Sequence, residues 1–247
     1  MKQLLFTIGC VLLFSAQPFA QDFITRGKIE FEVKLNNKRI YSDADRAKNS
    51  WIASKPEFDI YYRELIFAGN QFLYIPGRRG TITYFPNDNS VYTDLETRQT
   101  ISKQTFIGDP YLCEDSVRPI KWKIENEIRK IAGFDCRKAI GIIHDSVYVV
   151  AFYCPEIVPQ GGPEFFTGLP GMILGLAIPR YFTTWFATKI ELASIDESKI
   201  IPPTLKKSKQ YTKKELAGIL SKKYKEAGRW KNEDFERAMK ELDRYTF

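Results

Sequence analysis

The sequence predicts a mainly β fold: a curved antiparallel meander sheet or half-barrel, followed by C-terminal α-helices. Three observations lead to this prediction. Short segments alternate apolar and polar residues with the period of two that a half-buried strand shows. Clusters of Gly, Pro and Asn separate these segments at short intervals, as they do in hairpins. Aromatic residues, which favour strands, make up 14% of the 247 residues.

The first strand pattern begins at Lys28. The segment "KIEFEVKL" places Ile29, Phe31 and Val33 on one face and charged residues on the other. The polar stretch from residue 36 to 55 indicates a surface excursion or a short helix. Further strands are predicted near residues 58–67, 71–76, 81–85, 91–95 and 98–106, and the segment "DPYLCEDS" at 109–116 is predicted to be a loop.

A later hairpin brings two cysteines together. The segments "FDCRKAIGII" and "SVYVVAFYC" flank a turn centred on residue 145, so that Cys136 and Cys154 lie opposite each other. Opposed Cβ atoms are about 4.5–5.5 Å apart, which makes a Cys136–Cys154 disulfide geometrically reasonable. A shift of one residue would instead place them on opposite faces, and Cys113 is a competing partner. A Cu(I) or zinc site from these three cysteines and Met172 is an alternative, although their spacings match no metal-clip pattern.

The two ends of the chain differ from its middle. The first twenty residues resemble a secretion signal, with Lys2, a short apolar core and a plausible cleavage site after Ala20. Cys10 follows Thr-Ile-Gly, a weak match to a lipoprotein cleavage box. Residues 21–200 carry 23 basic and 23 acidic side chains, whereas residues 201–247 carry 13 and 7, an excess of +6. The expected parts are a signal peptide at 1–20, an antiparallel β domain at 21–200 and a basic helical tail at 201–247.

The tail shows helix signals. Thr212 and Glu215 form a capping box ahead of a helical pattern that runs through Tyr224, and a second helix is expected from residue 232 or 234. The basic charge of the tail suits contact with anionic lipid headgroups or an acidic partner, or a solvated helix face.

The stretch "GGPEFFTGLPGMILGL", from Gly161, is rich in glycine and proline just before an apolar strand. Such residues build a stiff corner between two strands. The alternative is an apolar lip over a ligand cavity, and Glu156 and Glu164 are the carboxylates best placed for chemistry on this loop. The residues of the motif and the candidate ligand lip are Gly162, Pro163, Phe165, Phe166, Gly168, Leu169, Pro170, Gly171, Met172 and Ile173.

This stretch resembles the signature of the GLPGLI family, a group of secreted proteins common in Bacteroidota. The match is Gly168-Leu169-Pro170-Gly171-Met172-Ile173, and "IKWKIENEIRKIAGFDCRKA" and "VAFYCPEIVPQGGPEFF" extend it upstream. Phe152 stands where the family often has tryptophan, and Cys154 where it often has a small or hydroxylated residue. The resemblance implies no established activity, and it implies a link to TonB-dependent receptors. For the architecture, we expect an open half-barrel that resembles lipoprotein-carrier folds, with a closed barrel as the alternative.

Few other sequence features indicate a catalytic, metal-binding or nucleic-acid-binding site. His144 is the single histidine, which argues against histidine-based metal sites and histidine-activated nucleophiles. No phosphate loop is present, and the neutral body argues against nucleic-acid binding.

We therefore expect a non-enzymatic module without a cofactor, exported to the periplasm, the outer membrane or the extracellular space. It would bind an apolar or peptide-like ligand, or an outer-membrane transporter or other envelope protein. The alternatives are a hydrolase that uses carboxylates on the Gly161–Gly171 loop and a thiol or metal carrier.

Overall fold

The computed structural model describes residues 23–81, 89–106, 109–192, 195–205 and 210–226. Its strands are β1 (Arg26–Asn36), β2 (Phe58–Ala68), β3 (Gln71–Pro76), β4 (Ser90–Asp94), β5 (Gln99–Phe106), β6 (Asp109–Ser116), β7 (Trp122–Ile131), β8 (Phe134–Ile143), β9 (Val147–Cys154), β10 (Met172–Ile178), β11 (Thr183–Glu191) and β12 (Gln210–Tyr211). Its helices are α1 (Asn37–Ile40), α2 (Asp43–Lys48), α3 (Ser50–Ala53) and α4 (Lys213–Glu226), with two short 3-10 turns at 179–181 and 197–199.

All twelve strands belong to one sheet, in the order β12-β6-β5-β4-β3-β2-β1-β11-β10-β9-β8-β7. The chain runs as a meander from β1 at the centre to β6, crosses to the opposite edge at β7, and returns as a second meander to β11 beside β1. Neighbouring strands are antiparallel, except that β12 runs parallel to β6. The predicted mainly β meander fold with a C-terminal helix is confirmed.

The short link between β6 and β7 shows that the sheet is strongly curved. Six residue steps, from Ser116 to Trp122, span at most about 20 Å. In a flat sheet, the ten strand spacings between β6 and β7 would separate these strands by about 48 Å. The sheet must therefore curl so that its two edges approach each other. It is not closed into a barrel, because β7 and β12 have no pairing with each other among the described residues.

The first strand has the predicted alternation. Ile29, Phe31 and Val33 are fully buried, and they lie on the face that we call the inner face. On the other face, Lys28 lies 3.4 Å from a carboxylate oxygen of Glu64 and 3.6 Å from one of Glu191. The inner face carries most of the main hydrophobic core, which includes Phe31, Phe67, Phe72 and Trp185.

One sequence-based assignment needs correction. The segment 109–116 was predicted to be a loop but forms strand β6, whose residues pair with β5 over its whole length. The segment is polar and does not alternate, so its sequence does not indicate a strand. It is extended because the neighbouring strands supply its hydrogen-bond partners.

Residues 37–53 form three short helices, with side-chain caps from Asn36, Ser42 and Asn49. The strand predicted at 81–85 lies almost entirely outside the described residues.

The start of the tail packs against the sheet. The predicted capping box is present, since Thr212 N–H donates to Glu215 Oε2 at 2.8 Å. Leu216 and Leu220 of α4 are buried against Phe106 and Tyr111 of the sheet. The predicted signal peptide, Cys10 and the second C-terminal helix fall outside the described residues. Within the described part of the chain, no helix is long and apolar enough to cross a membrane.

Candidate functional site

The glycine-rich stretch forms the second half of a long connection between two paired strands. We call residues 155–171 the motif loop. Cys154 at the end of β9 pairs directly with Met172 at the start of β10, so the loop leaves and re-enters the sheet at one place. Backbone hydrogen bonds close it, including Met172 N–H to the Ile157 carbonyl at 2.8 Å and Ile173 N–H to the Gly161 carbonyl at 2.9 Å. These bonds agree with the stiff corner that the sequence predicts.

The motif loop fills the inside of the curved sheet. Phe166 and Leu169 are each 1% exposed and belong to the main core. Gly161 lies so close to the ring of Phe72 that an added Cβ would be 2.1 Å from a ring carbon. The indole N–H of Trp122 donates to the Thr167 carbonyl at 2.9 Å, which ties the loop to β7.

The other motif residues divide between the core and the surface. Gly162, Pro163, Gly171, Met172 and Ile173 are buried, whereas Gly168 and Pro170 are exposed. Of the apolar side chains proposed for the ligand lip, Phe166 and Leu169 are buried in the core, whereas Phe165 is half-buried and lines a cavity.

Glu164 stands out within the motif loop. Its φ of +54° is in the left-handed region, which is unusual for a residue other than glycine. Its side chain is buried and faces Arg63 of β2, Tyr74 of β3 and Trp185 of β11. We call these four residues the Glu164 cluster. Arg63 donates to the Asn89 carbonyl at 2.6 Å, and its Cζ lies 5.0 Å from the centre of the Tyr74 ring.

Burial raises the pKa of the Glu164 carboxyl above its usual value. The positive charge of Arg63 and the nearby indole N–H of Trp185 offset part of that effect, although the indole does not reach hydrogen-bond geometry. Glu156, by contrast, is exposed on the same loop. Of the two carboxylates proposed from the sequence, Glu164 therefore has converging buried partners and Glu156 does not.

The raised pKa of Glu164 predicts a pH dependence of stability. A carboxyl whose pKa is higher in the folded than in the unfolded state stabilises the fold below the unfolded pKa, and this contribution is lost as pH rises through the folded pKa. The wild type should therefore lose stability relative to Glu164→Gln as pH rises above about 4, the ordinary range of a glutamate carboxyl. Urea unfolding of both proteins at several pH values measures this difference. A difference that stays constant, or that changes in the opposite direction, contradicts the assignment.

The cysteines separate into two places. Cys136 and Cys154 lie on paired strands β8 and β9, whereas Cys113 lies on β6 in a second core cluster with Phe106 and Leu216. All three described cysteines are free thiols in the structure, so the disulfide remains a prediction. Within the described ranges, no group of three or more His, Cys, Asp or Glu side chains is arranged to hold a metal ion.

A groove that the sequence did not indicate lies at the β6 edge of the sheet. We call it the β6 groove; it has a volume of about 610 Å³ and is bounded by the β4–β5 turn, the end of β6, β12 and the start of α4. Its lining consists of Thr97, Arg98, Gln99, Glu114, Asp115, Ser116, Gln210, Tyr211, Thr212 and Glu215. A cavity of about 20 Å³, enough for about one water, shares Asp115 and Ser116 with it and reaches Phe165 of the motif loop.

Local hydrogen bonds hold the walls of the β6 groove in place. The Gln99 amide donates to the Glu114 carboxylate across the two strands. Arg98 has a φ of +57° in the β4–β5 turn, and its carbonyl accepts from Val117 N–H at 2.8 Å. The groove thus presents amide, carboxylate, guanidinium and hydroxyl groups on an ordered frame. Sequence reasoning missed it because its residues come from three distant segments, and the left-handed Arg98 gives no sequence signal.

Comparison with known proteins yields a similarity of fold. No family model matches the chain, and no curated protein does so. Among solved structures, PNGF-II in its P21 crystal form has a TM-score of 0.51 at 11% identity, over 76% of this chain and 32% of that chain. PNGF-II in its C2 form has a TM-score of 0.49 at 10% identity, over 76% and 30%. The chain thus spans about a third of the length of PNGF-II, and at this identity the similarity concerns the fold alone.

Proposed function

We propose that this chain is a non-enzymatic, exported binding module of the GLPGLI family that holds a peptide-like ligand in the β6 groove. The observation that supports this proposal most is the groove itself. Its volume of about 610 Å³ falls in the range of roughly 300–1,000 Å³ typical of ligand sites, and it is open to solvent. The inner face of the sheet, in contrast, is occupied by Phe166 and Leu169 of the motif loop.

The chemistry of the groove favours a peptide-like ligand over an apolar one. A peptide main chain carries a donor and an acceptor in every residue except proline, and both must find partners when buried. Gln99, Glu114 and Gln210 supply amide and carboxylate groups for such partners, and Tyr211 supplies an aromatic ring. An apolar ligand would desolvate these groups without replacing their hydrogen bonds, which is unfavourable.

The peptide-like ligand is proposed to be an exposed segment of an envelope protein, such as an outer-membrane transporter. Two features of the chain support this location: the signal-like first twenty residues and the basic C-terminal tail. Lys214 and Lys222 of α4 are exposed on the part of the tail that is described, where they can contact an anionic membrane surface.

Site-specific photo-crosslinking tests the proposal. We expect p-benzoylphenylalanine in place of the exposed Thr97 to yield peptide adducts in envelope extracts after irradiation. The same group in place of Lys189, an exposed residue on the outer face of β11, is the matched control and should yield none. Glu114→Ala should reduce the yield at position 97. Equal yields at both positions, or a lipid adduct at position 97, would contradict peptide binding in the groove.

The Glu164 cluster supports a second candidate function, a carboxylate-dependent hydrolase. A buried carboxyl with a raised pKa beside a cation and a phenol is an arrangement found in active sites. If the chain is a hydrolase, Glu164→Gln should abolish the reaction while Glu156→Gln leaves it unchanged. Mass spectrometry of the recovered peptide distinguishes intact ligand from cleaved product.

A further inference from the structure

Cys136 and Cys154 occupy matching positions on the neighbouring strands β8 and β9. Arg137 pairs with Tyr153 in the antiparallel register, and the next position outward on each strand is a cysteine. Cys154 is also the last residue of β9, and its neighbour Pro155 begins the motif loop. The sequence left open a register shift that would separate the two cysteines, and the observed pairing excludes it.

The two cysteines lie beside each other inside the protein. Both residues are fully buried, the Cys136 thiol is a neighbour of Cys154, and it donates to the Phe134 carbonyl at 3.6 Å. The sulfur of Cys154 also faces the backbone N–H groups of Glu156 and Ile157. The Cys136 thiol and these N–H groups lower the pKa of the Cys154 thiol, while the same contact and burial raise the pKa of Cys136. Within the pair, Cys154 is therefore the sulfur that more readily becomes a thiolate.

Cys113 does not compete for either partner. It belongs to a separate buried cluster beneath α4 that contains Phe106, Tyr111 and Leu216, whereas the other two cysteines belong to the main core. Burial and the negative charge of Asp115 raise the pKa of Cys113 to about 11, which makes it a poor nucleophile.

We propose that Cys136 and Cys154 are a redox-active pair whose disulfide fastens strand β8 to the start of the motif loop. The oxidant is a small disulfide such as oxidised glutathione. The Cys154 thiolate attacks one sulfur of the oxidant, whose S–S bond breaks and releases one thiolate. Cys136 then loses its proton and attacks the Cys154 sulfur of the mixed disulfide, which releases the second thiolate. Two protein thiols and one small disulfide thus become one protein disulfide and two small thiols.

The bond would form late in folding, after β8, β9 and the first residues of the motif loop have come together and before the rest of the core covers the two sulfurs, which are inaccessible in the folded protein. It would close a loop of roughly twenty residues and reduce the entropy of the unfolded chain. It would also fix Cys154, which precedes the motif loop and pairs with Met172, the residue that follows it. The proposal is independent of the peptide-binding function, since neither cysteine lines the β6 groove.

Peptide mapping of the full chain tests the proposal. The protein is refolded with oxidised and reduced glutathione, alkylated under denaturing conditions and digested with trypsin without reduction. We expect peptide 131–137, which contains Cys136, to be linked to peptide 139–180, which contains Cys154. Peptide 104–121, which contains Cys113 and ends at Lys121 because trypsin does not cleave the Arg118–Pro119 bond, should be alkylated. Oxidation should also raise the melting temperature by roughly 5–10 °C, and protein that is unfolded, reduced with dithiothreitol and refolded in its presence should show no such rise.

Matched variants complete the test. Cys136→Ser should abolish the temperature rise on oxidation, whereas Cys113→Ser should retain it. Recovery of peptides 131–137 and 139–180 as separate alkylated species after oxidation would overturn the proposal. A linkage of either peptide to Cys113 would also overturn it. The mapping uses the wild-type chain, so its outcome does not depend on whether a variant folds.

Discussion

Replacement of Gly171 by alanine is expected to lower the free energy of unfolding by roughly 3–5 kcal/mol. Gly171 has a φ of +141°, which side-chain-bearing residues rarely adopt, and an added Cβ would lie 2.2 Å from the carbonyl oxygen of Cys154. That oxygen cannot move away easily, because Cys154 is paired with Met172 at the junction of β9 and β10. Urea unfolding of Gly171→Ala against the wild type measures the loss.

Two other glycines provide controls for this prediction. Gly168→Ala also places a side chain at positive φ, +87°, but the nearest atom is 3.9 Å away, so the expected loss is about 1–2 kcal/mol. Gly218 lies in α4 with nothing near its Cβ position, so Gly218→Ala should stabilise by about 0.5–1 kcal/mol. Equal losses for the two motif-loop variants would show that the close approach to Cys154 has no energetic role.

Removal of the positive charge inside the Glu164 cluster is expected to have a comparable effect. Arg63 is 2% exposed, and Arg63→Met retains much of its volume while it leaves the buried Glu164 carboxyl without its cation. Removal of the cation destabilises the buried carboxyl through the lost charge interaction and leaves the Asn89 carbonyl without this donor, which together should cost roughly 2–4 kcal/mol. Thermal and urea unfolding at neutral pH measure this loss.

The double variant separates charge from packing. Arg63→Met combined with Glu164→Gln removes both charges and should recover a large part of the lost stability. Arg78→Met is the matched control, because Arg78 pairs with Glu30 at 2.9 Å on the exposed face and its loss should matter far less. If the double variant is no more stable than Arg63→Met, the loss comes from packing and from the Asn89 hydrogen bond.

Strands with a clear period of two were predictable from the sequence. Ile29, Phe31 and Val33 alternate with charged residues, and the strand they form was predicted close to its observed limits. The hairpin at residue 145 was predicted in register, because a tight turn fixes which residues lie opposite. The capping box at Thr212 and Glu215 is likewise a local interaction, and it marked the start of α4.

The strand β6 was not predictable in this way. Asp109, Glu114 and Asp115 carry no strand signal, and the segment is extended because β5 on one side and β12 on the other supply partners. The β6 groove was missed for the same reason, since it joins residues near 98, 115 and 211 that only the folded sheet brings together.

By itself, the sequence determined the mainly β class, the hairpin that opposes Cys136 and Cys154, and the stiff character of the Gly161–Gly171 segment. These features depend on side-chain periodicity and on backbone preferences, which act over a few residues. Three features were decided by the tertiary structure alone. The motif loop occupies the inside of the curved sheet, Glu164 is buried facing Arg63, and a polar groove lies at the β6 edge. Those features depend on the curvature of the sheet and on contacts between residues far apart in the chain, which no local pattern encodes.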